Sequence, residues 1–268
     1  MTSPAADLDQ QLLEQAGVRF ELDGATAVVT LCRPERRNAQ SPAMWRALTA
    51  IGRSLPGTVR VVLLRGEGPS FSAGLDRAMF TPEGIPGERN FLQLAAADDK
   101  DLDETIASYQ EAFTWWRRPD LISIAAVQGH AVGAGFQLAL GCDIRVVAED
   151  VRFAMKETSL GLVPDLAGTK PLVELVGYSR ALEICATGRQ VGAEEAVATG
   201  LANLAVPAAD LDAAVRDLAA ALLAAPRSAV IETKALLQGA AGRDYEEQRT
   251  AERAAQARRL RDLAGIGD

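Results

Sequence analysis

The segment LISIAAVQGHAVGAGFQLALG, residues 121–141, joins three local patterns that together indicate the fold. The apolar run over 121–128 predicts a strand buried on both faces. A turn rich in glycine and alanine follows over 129–135, and residues 136–141 predict the start of a helix. Small residues in such a turn let a ligand approach backbone N–H groups, and the helix N-terminus adds a partial positive charge. Taken alone, the pattern is also typical of a tight turn needed only for packing.

Strand and helix patterns alternate on both sides of this segment. Asp23-Gly24 separates two β-rich runs and indicates a hairpin, whereas Ser41-Pro42 indicates a helix that begins there and ends near Gly52. Residues 77–102 are predicted to be a loop and residues 102–116 a helix. The predicted strands cover 18–22, 27–31, 59–65, 121–128, 144–148 and 152–154, and the predicted later helices cover 171–176, 179–186, 193–198, 210–224, 228–238 and 245–263. We therefore predict an α/β core over residues 1–200 and a helical region over 201–268.

The composition narrows the class of protein. The chain has 268 residues, 48% of them hydrophobic and 24% charged, as in globular proteins. A net charge of −8 argues against non-specific binding to nucleic acid or to an anionic membrane surface. Three scattered cysteines and one histidine do not indicate a disulfide framework, a zinc site or a catalytic metal. No apolar run approaches the roughly 18 residues of a membrane span, and the N-terminus lacks a signal-peptide pattern, so a cytoplasmic protein is expected.

Two further motifs carry chemical information. FSAGLD, residues 71–76, is a second glycine-bearing turn after a predicted strand, and two turn N–H groups aimed at one oxygen would stabilise an enolate. KETSLGLVPDLAGT, residues 156–169, holds Glu157 and Asp165 in apolar surroundings of the kind that raise a carboxyl pKa. Each acid alone is also typical of a helix cap or a surface. The G-x-x-x-G-x-G spacing over 129–135 does not match the dinucleotide-binding G-x-G-x-x-G pattern.

Four stretches, 33–39, 71–76, 127–145 and 156–169, together resemble the enoyl-CoA hydratase/isomerase (crotonase) family. Residues 188–196 and 200–203 extend the resemblance, which covers roughly residues 17–265. It implies an α/β fold built as a spiral of ββα units, with a helical C-terminal region that packs a homotrimer or a dimer of trimers. It also implies an acyl-CoA thioester substrate, with coenzyme A entering as part of the substrate and no other cofactor.

The resemblance assigns roles to particular residues. The backbone N–H groups of Leu75 and Ala134 would form the oxyanion hole for the thioester carbonyl. Residues implied to lie along the CoA or the acyl group are Ser72, Ala73, Gly74, Asp76 and Gly133.

The acids of the implied active site differ from those of family hydratases, which use two glutamates. Glu157 matches one of them, but Gln137 stands in the place of the other, and a carboxamide cannot hold and release a proton near neutral pH. Gln137 can only orient a water or donate a hydrogen bond to Glu157. Asp165 resembles the second acid of family dienoyl-CoA isomerases. Glu157, Asp165 and Gln137 are therefore the predicted catalytic set.

These residues favour an isomerase that shifts a double bond in an enoyl- or dienoyl-CoA through an oxyanion-stabilised thioester enolate, in fatty acid metabolism. Two alternatives stay open: an enoyl-CoA hydratase, and a protein that binds acyl-CoA without chemistry. A hydrolase built from Ser72, His130 and Asp165 would lack the G-x-S-x-G elbow, and His130 is expected to be a structural hydrogen-bonding residue.

Other charged residues are expected to lie outside the catalytic set. Asp143 and Arg145 are expected to make polar contacts within the fold. Lys234 and three C-terminal arginines would either lie on solvated helix faces or contact CoA phosphates; the arginines are Arg258, Arg259 and Arg261.

Overall fold

A six-stranded sheet organises the molecule, which a computed structural model describes over residues 8–266. Its strand order is β1-β2-β3-β4-β6-β8, and β5 and β7 form a second, two-stranded parallel sheet. The strands are β1 (Val18–Asp23), β2 (Thr26–Leu31), β3 (Val61–Gly66), β4 (Ile122–Val127), β5 (His130–Val132), β6 (Ile144–Ala148), β7 (Arg152–Ala154) and β8 (Leu204–Val206). The α/β class with C-terminal helices is as predicted.

The pairing of the large sheet follows from its sequence patterns. β1 and β2 form the antiparallel hairpin predicted at Asp23-Gly24, with Asp23 opposite Thr26. The remaining pairs are parallel, and β3 and β4 carry almost continuous apolar runs because both of their faces are covered. After β8 the chain forms helices over the rest of the described range.

Helices cover both faces of the large sheet. They are α1 (Gln10–Ala16), α2 (Pro42–Ser54), α3 (Phe91–Ala95), α4 (Asp99–Thr114), α5 (Ala134–Gly141), α6 (Thr169–Val176), α7 (Tyr178–Thr187), α8 (Ala193–Ala198), α9 (Leu211–Ala224), α10 (Arg227–Ala240) and α11 (Tyr245–Leu263). α2 buries Met44, Leu48 and Ile51 in the main core. α9 packs Leu211 and Val215 on the opposite face, so the sheet lies between two apolar layers.

The predicted start of α2 is confirmed in detail. The Ser41 hydroxyl accepts a hydrogen bond from the Met44 N–H at 3.3 Å, and Pro42 occupies the first helical position. A cap of this kind satisfies one N–H that has no partner inside the helix.

Three local predictions were wrong. The supposed loop over 77–102 contains a 3₁₀ turn (Arg77–Phe80), α3 and the first turn of α4, where Asp98 caps the helix by accepting from the Asp101 N–H. Its acidic run favours a helix N-terminus and not a loop. The turn over 129–135 contains β5, because its backbone pairs with β7. The helical region beyond residue 200 includes the strand β8, which adds to the sheet beside β6.

The charged residues Asp143, Arg145 and Lys234 make contacts inside the fold. Arg145 is buried and donates to the carbonyl oxygens of Leu201 at 2.6 Å and Cys142 at 2.8 Å. Lys234 is the buried residue of α10, and its Nζ donates to Asp143 Oδ2 and to the Leu121 carbonyl, each at 2.7 Å. Lys234 therefore attaches α10 to the core and is not available to a CoA phosphate in this structure.

Replacing Lys234 with methionine is expected to lower the free energy of unfolding by about 2–3 kcal/mol. Asp143 would lose its cation, but its side chain is 19% exposed and keeps the hydrogen bonds from Ser123. Urea denaturation measures the change. Lys170→Met is the matched control, since Lys170 is exposed and pairs with Glu174 on the surface. A loss for Lys234→Met no larger than that of the control would contradict the anchoring role.

Within residues 8–266 no helix is both long enough and apolar enough to cross a membrane.

Candidate active site

The two glycine-bearing turns lie side by side because they follow neighbouring parallel strands. β3 and β4 end at the same edge of the sheet, and the chain beyond each pairs with the other. Ser72 donates its N–H to the His130 carbonyl at 2.9 Å, and Val132 donates to the Ser72 carbonyl at 3.0 Å. Gly74 has φ +87°, and a Cβ there would lie 2.4 Å from the Val132 oxygen. Only glycine therefore permits this close approach.

The Leu75 N–H has no hydrogen-bond acceptor among residues 8–266. Gln40 forms a parallel bridge with Leu75: the Gln40 N–H donates to the Gly74 carbonyl, and the Asp76 N–H donates to the Gln40 carbonyl, both at 2.7 Å. Successive N–H groups of an extended segment point to opposite edges, so the Leu75 N–H points away from Gln40.

The Ala134 N–H occupies the first helical position of α5, where no partner exists within the helix. The preceding residue, Gly133, is held by its N–H, which donates to the Ala154 carbonyl of β7 at 2.8 Å. Gly133 has φ 53° and ψ −120°, which side chains rarely allow, and a Cβ there would lie 3.1 Å from Glu157 Oε1. The Ala134 nitrogen lies 3.6 Å from the position of a Cβ on Gly74, so the two turns meet at these amides.

Gln137 and Glu157 are joined directly. Gln137 Nε2 donates to Glu157 Oε1 at 2.7 Å. Gln137 Oε1 accepts from the N–H groups of Leu166 at 2.9 Å and Gly168 at 3.3 Å. Two backbone donors require an oxygen at that position, so they determine which end of the amide faces Glu157.

The second carboxylate oxygen of Glu157 is available to accept a proton. Oε2 is buried and has no hydrogen-bond partner among the described residues. Glu157 opens the 3₁₀ turn that follows β7 (Glu157–Leu160). Its Oε1 lies 3.1 Å from the position that a Cβ on Gly133 would take, so Glu157 lies beside the Ala134 turn. Burial raises the pKa of Glu157, and the nearby charge of Asp165 raises it further, whereas the Gln137 hydrogen bond opposes both. A carboxyl with a raised pKa is a stronger base once ionised.

Asp165 lies in the loop that contains the two N–H donors to Gln137. Gln110 of α4 anchors this loop, because its Nε2 donates to the Asp165 carbonyl at 2.7 Å. The protein packed around its carboxyl raises the pKa of Asp165. Asp165 as a whole is exposed, so water moderates that rise.

Two residues implied to lie along the substrate have side chains turned into the protein. The Ser72 hydroxyl donates to the Asn38 carbonyl at 2.8 Å and accepts from the Gly74 N–H. The Asp76 carboxylate pairs with Arg33 at 3.0 Å and Arg36 at 3.3 Å. Any contact of Ser72 or Asp76 with a ligand would therefore use the backbone, whereas Ala73 in the same loop is exposed.

The hydrolase constellation is not assembled. His130 Nδ1 lies 3.2 Å from the Ser70 hydroxyl, and the Ser72 hydroxyl is occupied by backbone groups and Gln40. Ser72 and His130 therefore do not form a nucleophile and base pair.

Gln40 and Gln110 contact the loops of this site and were not predicted from the sequence. Gln40 follows directly after the quoted motif 33–39, and no local pattern distinguishes its buried amide from an ordinary polar side chain. Gln110 lies in a helix whose partner loop is 55 residues away in sequence.

The sequence model of the enoyl-CoA hydratase/isomerase family matches residues 21–262. A Rhodobacter capsulatus protein named as an enoyl-CoA hydratase is 35% identical over 217 residues, 81% of this chain and 79% of the relative. A Bacillus subtilis protein named as an enoyl-CoA hydratase/isomerase is 32% identical over 245 residues, 91% of each chain. The crystal structure of a Thermobifida fusca YX protein, named as an enoyl-CoA hydratase and in complex with acetoacetyl-CoA, is 50% identical with a TM-score of 0.91, covering 97% of this chain and 100% of that one.

Proposed function

Because this chain belongs to the enoyl-CoA hydratase/isomerase family, we propose that it shifts a double bond in an enoyl- or dienoyl-CoA through a thioester enolate. The proposal rests on Gln137 and its hydrogen bonds. Its oxygen accepts two backbone N–H groups and its nitrogen donates to Glu157, so the site lacks the second carboxylate that hydration would use. Glu157 keeps one free, buried oxygen, which suits a base that removes a carbon-bound proton.

The reaction balances without a cofactor. Glu157 Oε2 takes a proton from C2 of a 3-enoyl thioester, and the electron pair moves onto the carbonyl oxygen to form a dienolate. The N–H groups of Leu75 and Ala134 stabilise that negative oxygen. Return of a proton to C4 yields the conjugated 2-enoyl thioester and restores the enzyme.

Asp165 is proposed to exchange the second proton. Its chain neighbour Leu166 donates to Gln137, which donates to Glu157, and the exposure of Asp165 connects it to solvent. In a dienoyl substrate the proton must return farther along the chain than C4, which favours a second acid. A simple 3-enoyl shift needs Glu157 alone.

Hydration of a 2-enoyl-CoA is the second candidate, because several relatives are named as enoyl-CoA hydratases. In that case Asp165 or a water network would supply the second proton-transfer group. Binding of acyl-CoA without chemistry is not favoured. A half-buried base with a raised pKa lies beside the N–H groups of Leu75 and Ala134, which have no acceptor among residues 8–266.

Proton NMR of the reaction in D₂O tests the proposal. A 3-enoyl-CoA incubated with the protein is expected to become the 2-enoyl-CoA, with deuterium entering at the γ carbon when the proton exchanges with solvent through Asp165. A 3-enoyl-CoA that stays unchanged, together with conversion of crotonyl-CoA to a 3-hydroxyacyl-CoA, would favour the hydratase instead.

We propose that the CoA moiety runs along the loop 72–76 and contacts it through backbone groups. The exposure of Ala73 and the internal pairing of Asp76 with Arg33 support this arrangement. Gly74 and Gly133 would line the thioester because their backbones approach each other without side chains.

The pH dependence of kcat/KM is expected to follow the ionisation of the Glu157 carboxyl. The base must be ionised, so activity rises with pH through its raised pKa. Asp165→Asn removes a neighbouring negative charge, which lowers the pKa of Glu157, and the rise should move to lower pH. Ser159→Ala is the control, since this exposed neighbour carries no charge. A midpoint that stays in place or moves upward in Asp165→Asn would contradict the assignment.

We propose that the chain assembles as a homotrimer or a dimer of trimers. α10 and α11 each have a single buried residue, Lys234 and Ala255, while Leu237 is 71% exposed and Tyr245 is 83% exposed. Apolar surface of this kind favours a protein contact. Light scattering at micromolar concentration is expected to give a trimeric or hexameric mass, and a monomeric mass would contradict the proposal.

A further inference from the structure

A buried chain of side-chain hydrogen bonds ends at the loop that carries the Leu75 amide. Trp45 Nε1 donates to Gln40 Oε1 at 2.8 Å, and Gln40 Nε2 donates to the Ser72 hydroxyl at 3.2 Å. That hydroxyl accepts from the Gly74 N–H at 3.2 Å and donates to the Asn38 carbonyl at 2.8 Å. Gln40 and Ser72 are 0% exposed and Trp45 is 4% exposed, so water does not compete for these bonds.

The backbone of Gln40 contacts the same loop on either side of Leu75. Its N–H donates to the Gly74 carbonyl, and its carbonyl accepts from the Asp76 N–H. These two bonds fix the orientation of both peptide units that flank Leu75. Together with the side-chain bonds, they engage every polar group of Gln40 with Trp45 or with the loop 72–76.

The proposed reaction depends on the direction of the Leu75 N–H. Oxyanion stabilisation needs donors held in place before the charge develops, and a shift of about 1 Å can cost about 10²-fold in rate. A leucine at position 40 could fill the same space without restraining the loop through a polar side chain. A buried amide bonded at both its oxygen and its nitrogen in this position favours one loop conformation, because rotation of the loop breaks several buried bonds at once.

We propose that Gln40 is a positioning residue of the oxyanion hole, acting with Trp45 and Ser72 to aim the Leu75 N–H at the thioester carbonyl. This inference rests on the proposed enolate chemistry and goes beyond it, because it assigns the orientation of one donor to a residue that does not touch the substrate.

The test is the infrared carbonyl stretch of crotonyl-CoA, labelled with ¹³C at its carbonyl carbon, bound to wild type and to Gln40→Met. Methionine keeps the length of the side chain and removes both polar ends. The wild-type protein is expected to lower the stretch relative to free crotonyl-CoA. Gln40→Met is expected to lose part of that shift, because it removes the side-chain bonds and keeps the backbone bonds of residue 40 and the Ala134 donor. Isomerisation kcat should fall about 10- to 10²-fold with KM nearly unchanged.

Ser123→Ala is the matched control. Ser123 is also fully buried and hydrogen bonded, to the Trp116 carbonyl and to Asp143, but it lies away from both glycine turns. It is expected to lose stability like Gln40→Met while keeping the wild-type carbonyl shift. A general loosening of the fold would instead change the shift in both variants, and that result would overturn the proposal.

Two other outcomes are decisive. A folded Gln40→Met protein with the wild-type shift and kcat would overturn the positioning role and leave the enolate chemistry intact. Absence of a shift in the wild-type complex would overturn the oxyanion hole itself. If Gln40→Met does not fold, Ser72→Ala breaks the same chain of bonds at its last side chain. A reduced shift in Ser72→Ala would support the proposal, and a wild-type shift would overturn it.

Discussion

Replacing Glu157 with glutamine is expected to slow double-bond isomerisation by about 10²-fold or more while leaving acyl-CoA binding nearly unchanged. Glutamine keeps an oxygen that can accept from Gln137 Nε2, so the local geometry survives. It replaces the free Oε2 with an amide nitrogen that cannot take a proton. The expected loss is therefore in kcat, measured by the gain in absorbance as a 3-enoyl-CoA becomes conjugated.

Glu21→Gln serves as the control, because Glu21 is exposed on the edge strand β1 and pairs with Arg19. Calorimetric titration with crotonyl-CoA measures binding by each variant. Isomerisation by Glu157→Gln at the wild-type rate would show that another group is the base.

Gln137→Glu is expected to raise the hydration of crotonyl-CoA by about 10²-fold, since it restores a second proton-transfer group. One carboxylate oxygen would accept from the N–H groups of Leu166 and Gly168, as the amide oxygen does. The other would lie where Nε2 now contacts Glu157 Oε1 at 2.7 Å, so the two acids would share a proton and one pKa would rise.

Loss of the conjugated-thioester absorbance measures this gain. Gln137→Leu is the control, because it also removes the amide contact with Glu157 but supplies no acid, and it leaves two buried N–H groups unpaired at a cost of about 1–3 kcal/mol each. Equal hydration by the two variants would mean that a loosened site, and not the new carboxylate, admits water.

The elements of the fold follow closely from local patterns. The predicted helix 245–263 coincides with α11, and the strands 144–148 and 152–154 coincide with β6 and β7. Apolar periodicity and capping residues act within a few positions of one another, so they are visible in one stretch of sequence. The acidic run near Asp98 was wrongly assigned to the loop, although acidic residues before the predicted helix 102–116 are a local signal that the helix begins there.

The candidate site was only partly predictable. The glycine turns, Glu157 and the contact between Gln137 and Glu157 could be inferred from motifs. The partners that immobilise Gln137 are 29 and 31 residues away, and the two arginines that pair with Asp76 are 43 and 40 residues away. Such contacts depend on where loops cross after the sheet has formed, and short-range spacing carries no information about them. That Glu157 Oε2 lacks a hydrogen-bond partner can be recognised only from the positions of all its neighbours in the folded protein.

The central claim is that one half-buried glutamate, Glu157, drives isomerisation in a site poorly equipped for hydration. Absorbance of the conjugated thioester, followed with the wild-type protein in parallel on a 3-enoyl-CoA, a 3,5-dienoyl-CoA and crotonyl-CoA, tests it most directly. We predict a rapid gain of conjugation with at least one of the first two substrates and little loss with crotonyl-CoA. No gain with either unconjugated substrate, together with loss of crotonyl-CoA at about 10 s⁻¹ or faster, would contradict the claim.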